Sequence, residues 1–287
     1  MSTQSGATGY GRLQIILAAL LWGTTGTAQA LAPVGAQPVV VGAVRLLIGG
    51  LTLLLLAAGR GHLRRGGQWP WQSTAVAALS IATYQLTFFA GVSRTGVAIG
   101  TVVGIGSAPI LAGIMAFLVW RQRPERRWWW ATLLAVAGCG LLIAPQGQVK
   151  VDVGGILLAL TAGGAYAAYT LASQRLLQTQ APDAVTAVTF TLGALTLSPF
   201  LFTADLFWLM NGRGMLVALH LGVVTTAVAY TLFARGLREV PVATAVTLTL
   251  AEPLTAATLG LFLLGEPLTP RTLLGIASLI AGLLLLL

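Results

Sequence analysis

The sequence predicts an all-α integral membrane protein in which ten transmembrane helices form two inverted five-helix repeats around a central cavity. Three observations carry that expectation. Only 8% of the 287 residues are charged while 56% are hydrophobic, against about 25% charged in a soluble domain, so the chain has too little polar side chain to cover itself in water. The apolar residues fall into ten runs, each close to the ~20 residues that a bilayer crossing needs. A shift of 144 residues also brings one half of the chain into register with the other.

In order, the runs cover roughly residues 12–32, 37–58, 72–92, 96–120, 128–145, 153–177, 182–203, 213–235, 240–264 and 270–287. The first ten residues are polar and lack a basic stretch. The run after them outlasts a signal peptide, so it reads as a retained helix. Between runs stand Pro33 and Pro38, Gly66-Gly67, Pro124, Pro145, Pro182, Asn211-Gly212, Pro241 and Pro267, all turn-forming punctuation. Thr269-Pro270 reads as an N-cap followed by proline at the first helical position. No linker has room for a soluble domain, so the expected units are the repeats themselves, 1–150 and 151–287.

The net charge of +9 is distributed over short loops rather than gathered on one face, which argues against a nucleic-acid partner. Eleven basic residues fall on one side of the expected topology: Arg12, Arg60, Arg64, Arg65, Arg121, Arg123, Arg126, Arg127, Arg175, Arg235 and Arg238. Four fall on the other: Arg94, Lys150, Arg213 and Arg271. That bias places both termini in the cytoplasm. Trp69, Trp71, Trp120 and Trp128 to Trp130 form an expected cytoplasmic belt, with Trp208 at the far side. The single cysteine, Cys139, lies in an apolar run, which excludes a disulfide framework and a cysteine-based metal motif. No cofactor is expected.

At the offset of 144, Gly11 aligns with Gly155, Trp22 with Tyr166, and Gly49-Leu51-Thr52-Leu53 with Gly193-Leu195-Thr196-Leu197. Phe89-Ala90 likewise aligns with Phe233-Ala234 and Pro109 with Pro253. The register then drifts, pairing Pro124 with Pro267 and Gly140 with Gly282. Five spans per repeat is an odd number, so the halves enter the membrane in opposite directions. Inverted repeats of this kind point to alternating-access transport, with the site near the midplane.

The stretch from Val242 to Leu264 is long enough to span, yet it holds Glu252 and Pro253 near its middle. A charge at that depth costs about 2.5–3.5 kcal/mol on insertion scales, and the proline removes a backbone hydrogen bond that no water replaces. Glu252 reads as a titratable or cation-binding group facing a wet cavity. Equally, it reads as a structural acid, bonded to backbone freed by Pro253 or paired with Arg45, eight residues into the second span. Its repeat mate is Ala108, so the charge is not shared, whereas Pro109 and Pro253 are. Both prolines read as hinges, with Gly104 and Gly106 loosening the fourth span beside Pro109. Gly96, Gly100 and Gly104, four apart, also read as a close-packing ladder.

Trp22, Tyr84, Tyr166, Tyr169 and Tyr230 lie inside spans, where their polar atoms need partners. As a group they read as cavity lining, with ordinary packing as the alternative for any one. Trp22 and Tyr166, as repeat mates, are expected on opposite sides of one central space. Thr24, Thr25, Gln85, Ser107 and His220 are polar at similar depth. His220 reads either as a proton relay or as a residue bonded to a neighbouring helix, and Arg94 as solvated or lipid-facing. There is no HExxH pair, no paired intramembrane aspartate and no phosphate-binding glycine loop. Gly104-Ile105-Gly106-Ser107 is superficially like the serine motif of intramembrane proteases, but that motif needs glycine after the serine, where Ala108 stands. An enzyme is not expected.

Leu21-Trp22-Gly23, Arg45-Leu46 and Ser107-Ala108-Pro109 in the first half resemble the drug/metabolite transporter superfamily, EamA type. So do Glu252-Pro253, Leu264-Gly265-Glu266, Gly275 and Gly282 in the second half. The likeness spans essentially the whole chain, and within the type it is similar to the YddG-type exporters of aromatic amino acids. One departure is that Arg121-Gln122-Arg123 stands where the first half would match Glu266, so a scheme with one acid per half does not carry over. The resemblance implies a basket of helices whose cavity is lined by spans 1, 3, 4, 6, 8 and 9.

The combined expectation is a multi-pass exporter in a bacterial inner membrane, moving aromatic or hydrophobic amino acids or related small metabolites. It needs no metal and works as a monomer, with a dimer as the alternative. Substrate contacts are expected from Trp22, Tyr84, Gln85, Ser107, Tyr166, Tyr169, Tyr230 and Glu252. Hinges are expected at Gly104, Gly106, Pro109 and Pro253, and a charge pair or coupling group among Arg45, Glu252 and His220. The alternatives are export of drugs or other metabolites through the same cavity, and a non-transporting scaffold or sensor. Against a scaffold, inert helices would gain by exchanging Glu252 for leucine.

Overall fold

The computed structural model describes residues 3–63, 69–143, 152–202, 204–263 and 268–287, and all regular structure among them is helical. Arg64, Arg65, Gly66, Gly67, Pro145, Lys150 and the stretch Leu264-Gly265-Glu266-Pro267 lie outside the described residues. The chain opens with α1 (Thr3–Trp22), a short α2 (Thr25–Ala30) and α3 (Pro38–Gly59). Then come α4 (Trp71–Thr95), α5 (Val97–Trp120) and α6 (Arg126–Ile143). The second half begins with α7 (Val153–Leu177), α8 (Pro182–Leu197) and the single turn α9 (Pro199–Phe202). It continues through α10 (Gly212–Leu219), α11 (Ala229–Leu237), α12 (Val242–Leu248) and α13 (Glu252–Leu263) to α14 (Pro270–Leu284).

Six stretches among the described residues are long and apolar enough to cross a membrane: α3, α4, Ile99–Trp120 of α5, α7, and the composites Gly212–Leu237 and Val242–Phe262. α8 and α14 are shorter apolar helices. Starts follow local chemistry. Pro38, Pro182 and Pro270 occupy first turns, where the missing N–H is no loss. Asp152, Asn211 and Thr269 accept N–H bonds at the heads of α7, α10 and α14.

Several spans differ from the expected uninterrupted runs. The first starts earlier, at Thr3, and breaks between Trp22 and Thr25. The seventh ends α8 before Pro199. The eighth is wound as a π-helix over His220–Val228, between α10 and α11. There Thr226 Oγ1 donates to the Leu221 carbonyl five residues back at 2.8 Å. The ninth tightens to a 3₁₀ turn at Thr249–Ala251, directly before Glu252. Gly96 is not part of the α5 helix: with φ +84 it makes the sharp link from α4 to α5, which removes it from the expected glycine ladder.

α4 and α5 run along α7, α1 runs along α11, and α3 runs along α8 and the π stretch. α6 pairs with α14. That last pair is nearly backbone to backbone, since a Cβ on Gly138 would lie 2.6 Å from Leu279 N and one on Gly282 would lie 2.6 Å from the Ala131 carbonyl. Trp128 is not in the interfacial belt. It is 3% exposed and its indole N–H donates to Thr247 Oγ1 at 3.0 Å, while Trp129 and Trp130 remain exposed. Trp208 is buried too.

Candidate functional site

A cavity of about 360 Å³ opens inside the basket, toward the small end of the ~300–1,000 Å³ usual for small-molecule sites. Trp22 reaches it from the end of α1, Arg45 from α3, and Tyr84, Gln85 and Phe88 from one face of α4. Gly104, Ile105 and Ala108 of α5, Tyr166 of α7, Tyr230 of α11, and Thr249 and Glu252 at the ninth-span break complete the wall. Gln29, Pro38, Val92 and Ile143 line its outer reach, at the end away from the arginine-rich loops. Gly23 lets α1 press onto α13: a Cβ there would lie 2.6 Å from the Glu252 carbonyl oxygen.

The aromatic side chains form one continuous layer. Trp22 lies 4.7 Å from Tyr230 and edge-on at 6.4 Å from Tyr166, and Tyr84 is 5.7 Å from Tyr166. Trp22 and Tyr166 therefore touch rather than face each other across a gap. Tyr169 does not line the cavity. It packs behind Tyr166 at 6.1 Å and against Tyr230 and Phe190, sealing the floor on the arginine-rich side.

The polar groups are poorly partnered. Arg45 is 7% exposed, and its Nε, the Trp22 indole N–H and the Tyr166 hydroxyl have no hydrogen-bond partner among the described residues. Gln85 Nε2 donates weakly to the Gly42 carbonyl at 3.4 Å. Arg45 and Glu252 share the cavity wall, yet no ion pair within 4.0 Å joins them among the described residues. The direct pairing expected as one role for Glu252 is thus not observed. A guanidinium and a carboxyl group thus line one small space without a direct contact between them.

His220 does not line the cavity either. Thr24 Oγ1 donates to the Leu21 carbonyl at 2.7 Å and meets His220 Nε2 at 2.8 Å. The contact ties the break in the first span to the start of the π stretch. Ser107 is turned to its own helix, donating to the Gly104 carbonyl at 3.4 Å, and packs against Gly163 of α7. Gly106 faces Val136 of α6, and Pro109 and Pro253 are buried beside the wall rather than in it. Helix α5 runs unbroken through Pro109.

Sequence reasoning missed Phe88, Ile105 and Thr249, which are also in the wall. Phe88 lies one turn beyond Tyr84 on the same helical face, a signal that was present. It also missed Asp183, at the head of α8. One carboxylate oxygen takes Arg60 at 2.6 Å and His62 Nδ1 at 3.2 Å, while the other takes Arg235 at 3.3 Å. The two arginine bonds, with His62 beside them, draw the ends of α3, α8 and α11 together on the arginine-rich side.

Membrane-length helices enclosing a partly charged, aromatic-walled cavity define a multi-pass membrane transporter. The chain belongs to the EamA-like transporter family, which matches residues 9–144 and again 153–287. It is 48% identical over 274 residues to the uncharacterized transporter YwfM of Bacillus subtilis (strain 168), covering 96% of this chain and 92% of that one. It is 32% identical over 281 residues to the threonine/homoserine exporter RhtA of Escherichia coli (strain K12), covering 93% and 88%. One solved crystal structure shares the fold with a TM-score of 0.83 at 20% identity, covering 98% of this chain and 96% of the other. Family and relatives are transporters, not enzymes. The likeness is to the family as a whole and does not single out the YddG-type aromatic exporters.

Proposed function

We propose that this protein exports amino acids across a bacterial inner membrane by alternating access, holding the zwitterion between Arg45 and Glu252. The observation that carries this reading is a guanidinium and a carboxylate in one aromatic cavity with no ion pair to either among the described residues. A buried charge without a partner is costly. An α-amino acid brings a carboxylate for Arg45 and an ammonium for Glu252, and so satisfies both at once. Trp22, Tyr84 and Tyr230 then offer ring faces to an apolar or aromatic side chain, and cation–π attraction to the ammonium. A second reading, for small hydroxylated amino acids, draws on the RhtA relative and on Thr249, Thr101 and Thr25 in the wall.

Ten crossings in two inverted repeats, 1–150 and 151–287, remain the preferred topology. In support, the family match falls once in each half. The packing also obeys the exchange of halves: α4 along α7 has its counterpart in α11 along α1, while α3–α8 and α6–α14 pair repeat mates with each other. The eleven-to-four arginine and lysine bias favours cytoplasmic termini. The Tyr169–Phe190 floor and the Asp183 cluster then form the inner closure. The test is uptake into liposomes holding the purified chain, with labelled aromatic amino acids, threonine and a cationic dye, with and without a pH gradient. Movement of an amino acid supports the reading. Movement of the dye alone overturns it.

A further inference from the structure

A second pocket, of about 380 Å³, lies at the arginine-rich end, apart from the transport cavity. Arg12 of α1, Arg123 of the α5–α6 turn and Arg127 of α6 wall it, and Trp128, Leu285 and Leu286 close it on the apolar side. Glu125 also stands in the wall, yet none of the three arginines has an Asp or Glu carboxylate within 4.0 Å among the described residues. Arg12 directs Nη1 to the Leu287 main-chain oxygen at 2.8 Å, and its buried Nε has no hydrogen-bond partner among the described residues. Arg121 adopts φ 56, the one positive φ outside glycine among the described residues. That conformation is costly for a residue with a β-carbon, and the sharp turn it makes leads the chain to Arg123.

Three guanidinium groups around one pocket, without an acidic side-chain partner among the described residues although Arg123 also stands over the Phe117 ring at 5.7 Å, suit an anion with several acceptor oxygens. The surroundings narrow the class. Leu118 and Val119 at the end of α5, Trp129 and Trp130 on α6, and Leu284 on α14 are exposed apolar side chains on the same elements. A soluble anion has no use for them, whereas a lipid lays its chains there. Basic pockets between transmembrane helices at a membrane surface hold anionic headgroups in this way.

We propose that this pocket binds the phosphodiester of an anionic phospholipid, with the acyl chains along the exposed faces of α5, α6 and α14. The bound lipid bridges α1 and the α5–α6 turn to the head of α12 and the end of α14, and so clamps parts of both halves at this end. The proposal requires a membrane protein, not any particular substrate. The experiment is thermal unfolding of the purified full chain with phosphatidylglycerol, phosphatidylcholine or glycerol 3-phosphate, for wild type and for Arg12→Gln/Arg123→Gln/Arg127→Gln. Phosphatidylglycerol is expected to raise the melting temperature of wild type and of the opposite-end control Arg94→Gln, while phosphatidylcholine is not. Half-saturation should weaken roughly fivefold for each arginine removed. An equal shift with phosphatidylcholine, an unchanged response in the triple variant, or a full shift with glycerol 3-phosphate alone overturns the proposal, the last by showing a free-anion site. Should the triple variant not fold, Arg127→Lys must keep the phosphatidylglycerol response and Arg127→Gln must weaken it; equal behaviour overturns the proposal as well. Glu252→Gln should bind lipid normally, which separates this site from the transport reading.

Discussion

Replacing Arg45 by glutamine tests the substrate reading most directly. Arg45 lines the cavity, is 7% exposed, and has no carboxylate within 4.0 Å among the described residues, so a bound carboxylate would be its first ion-pair partner. A hydrogen bond from a charged donor contributes about 1.5–3 kcal/mol net. For a substrate carboxylate that corresponds to a rise in KM of roughly 10- to 150-fold, since about 1.4 kcal/mol is tenfold. Coulomb attraction at ~4 Å and an effective dielectric near 20 sets an upper bound of about 4 kcal/mol. Folding should not suffer, because the variant removes a buried charge rather than orphaning one. The assay is counterflow in proteoliposomes with matched pairs, an amino acid and the amine that lacks its carboxylate. The amino acid should lose its affinity for Arg45→Gln while the amine changes by less than about threefold, the lower part of the range a lost contact commands. Arg45→Lys, which keeps the charge but not the two-pronged geometry, should fall between. Equal losses for both members of a pair, or none, would refute the zwitterion reading.

Glu252→Gln should weaken binding of every ammonium-bearing substrate and, if protons couple through this residue, abolish the response of transport to an imposed pH gradient; an unchanged response removes Glu252 from coupling. Trp22→Ala and Tyr166→Ala should each strongly reduce transport while the purified proteins keep their helix content; if both transport normally, the cavity assignment fails. Asp183→Asn should lower stability by about 1–3 kcal/mol, toward the low end because its arginine partners are half exposed, read as a fall in melting temperature; no fall would mean that the cluster does not hold the arginine-rich end together. Pro109→Ala should raise the melting temperature, since α5 is already continuous and gains a hydrogen bond. Pro253→Ala should instead slow turnover, by letting the Thr249–Ala251 turn close into regular helix; identical behaviour of the two variants would remove any special role for that turn.

The long apolar helices were legible because composition alone demands them, and their proline and threonine starts follow local chemistry. The interruptions were not legible, because neighbours impose them. The π stretch lies where α3 comes so close that a Cβ on Gly49 would overlap Thr226 and one on Gly222 would overlap Ile48, and no periodicity in one sequence records that contact. Trp22, Tyr84, Tyr166, Tyr230 and Glu252 announced themselves as polar atoms in apolar runs, and all five line the cavity. Phe88 and Ile105 did not, because an apolar side chain in an apolar run reads the same whether it faces lipid or substrate. Trp128 was misplaced by residue type. Helical phase was the better guide: Thr132, one turn on, shares its partner Thr247 at 3.0 Å.

The paired prolines show how a repeated sequence yields an unequal site. Each lacks an N–H and crowds the carbonyl four residues back, Ile105 for Pro109 and Thr249 for Pro253. Yet α5 passes through Pro109 as a helix, while a 3₁₀ turn precedes Pro253. Proline is therefore not sufficient for the break. What differs is the residue before it. Ala108 is small, buried and apolar, and the helix loses nothing by carrying on. Glu252 must direct a carboxylate into the cavity while its own carbonyl lies under Gly23 of α1, so the backbone is fixed from one side and the side chain from the other. The tightened turn reconciles the two demands. It also brings Thr249 into the cavity wall beside Glu252. The proline supplies a common weak point, and the unshared acid decides in which half it gives way.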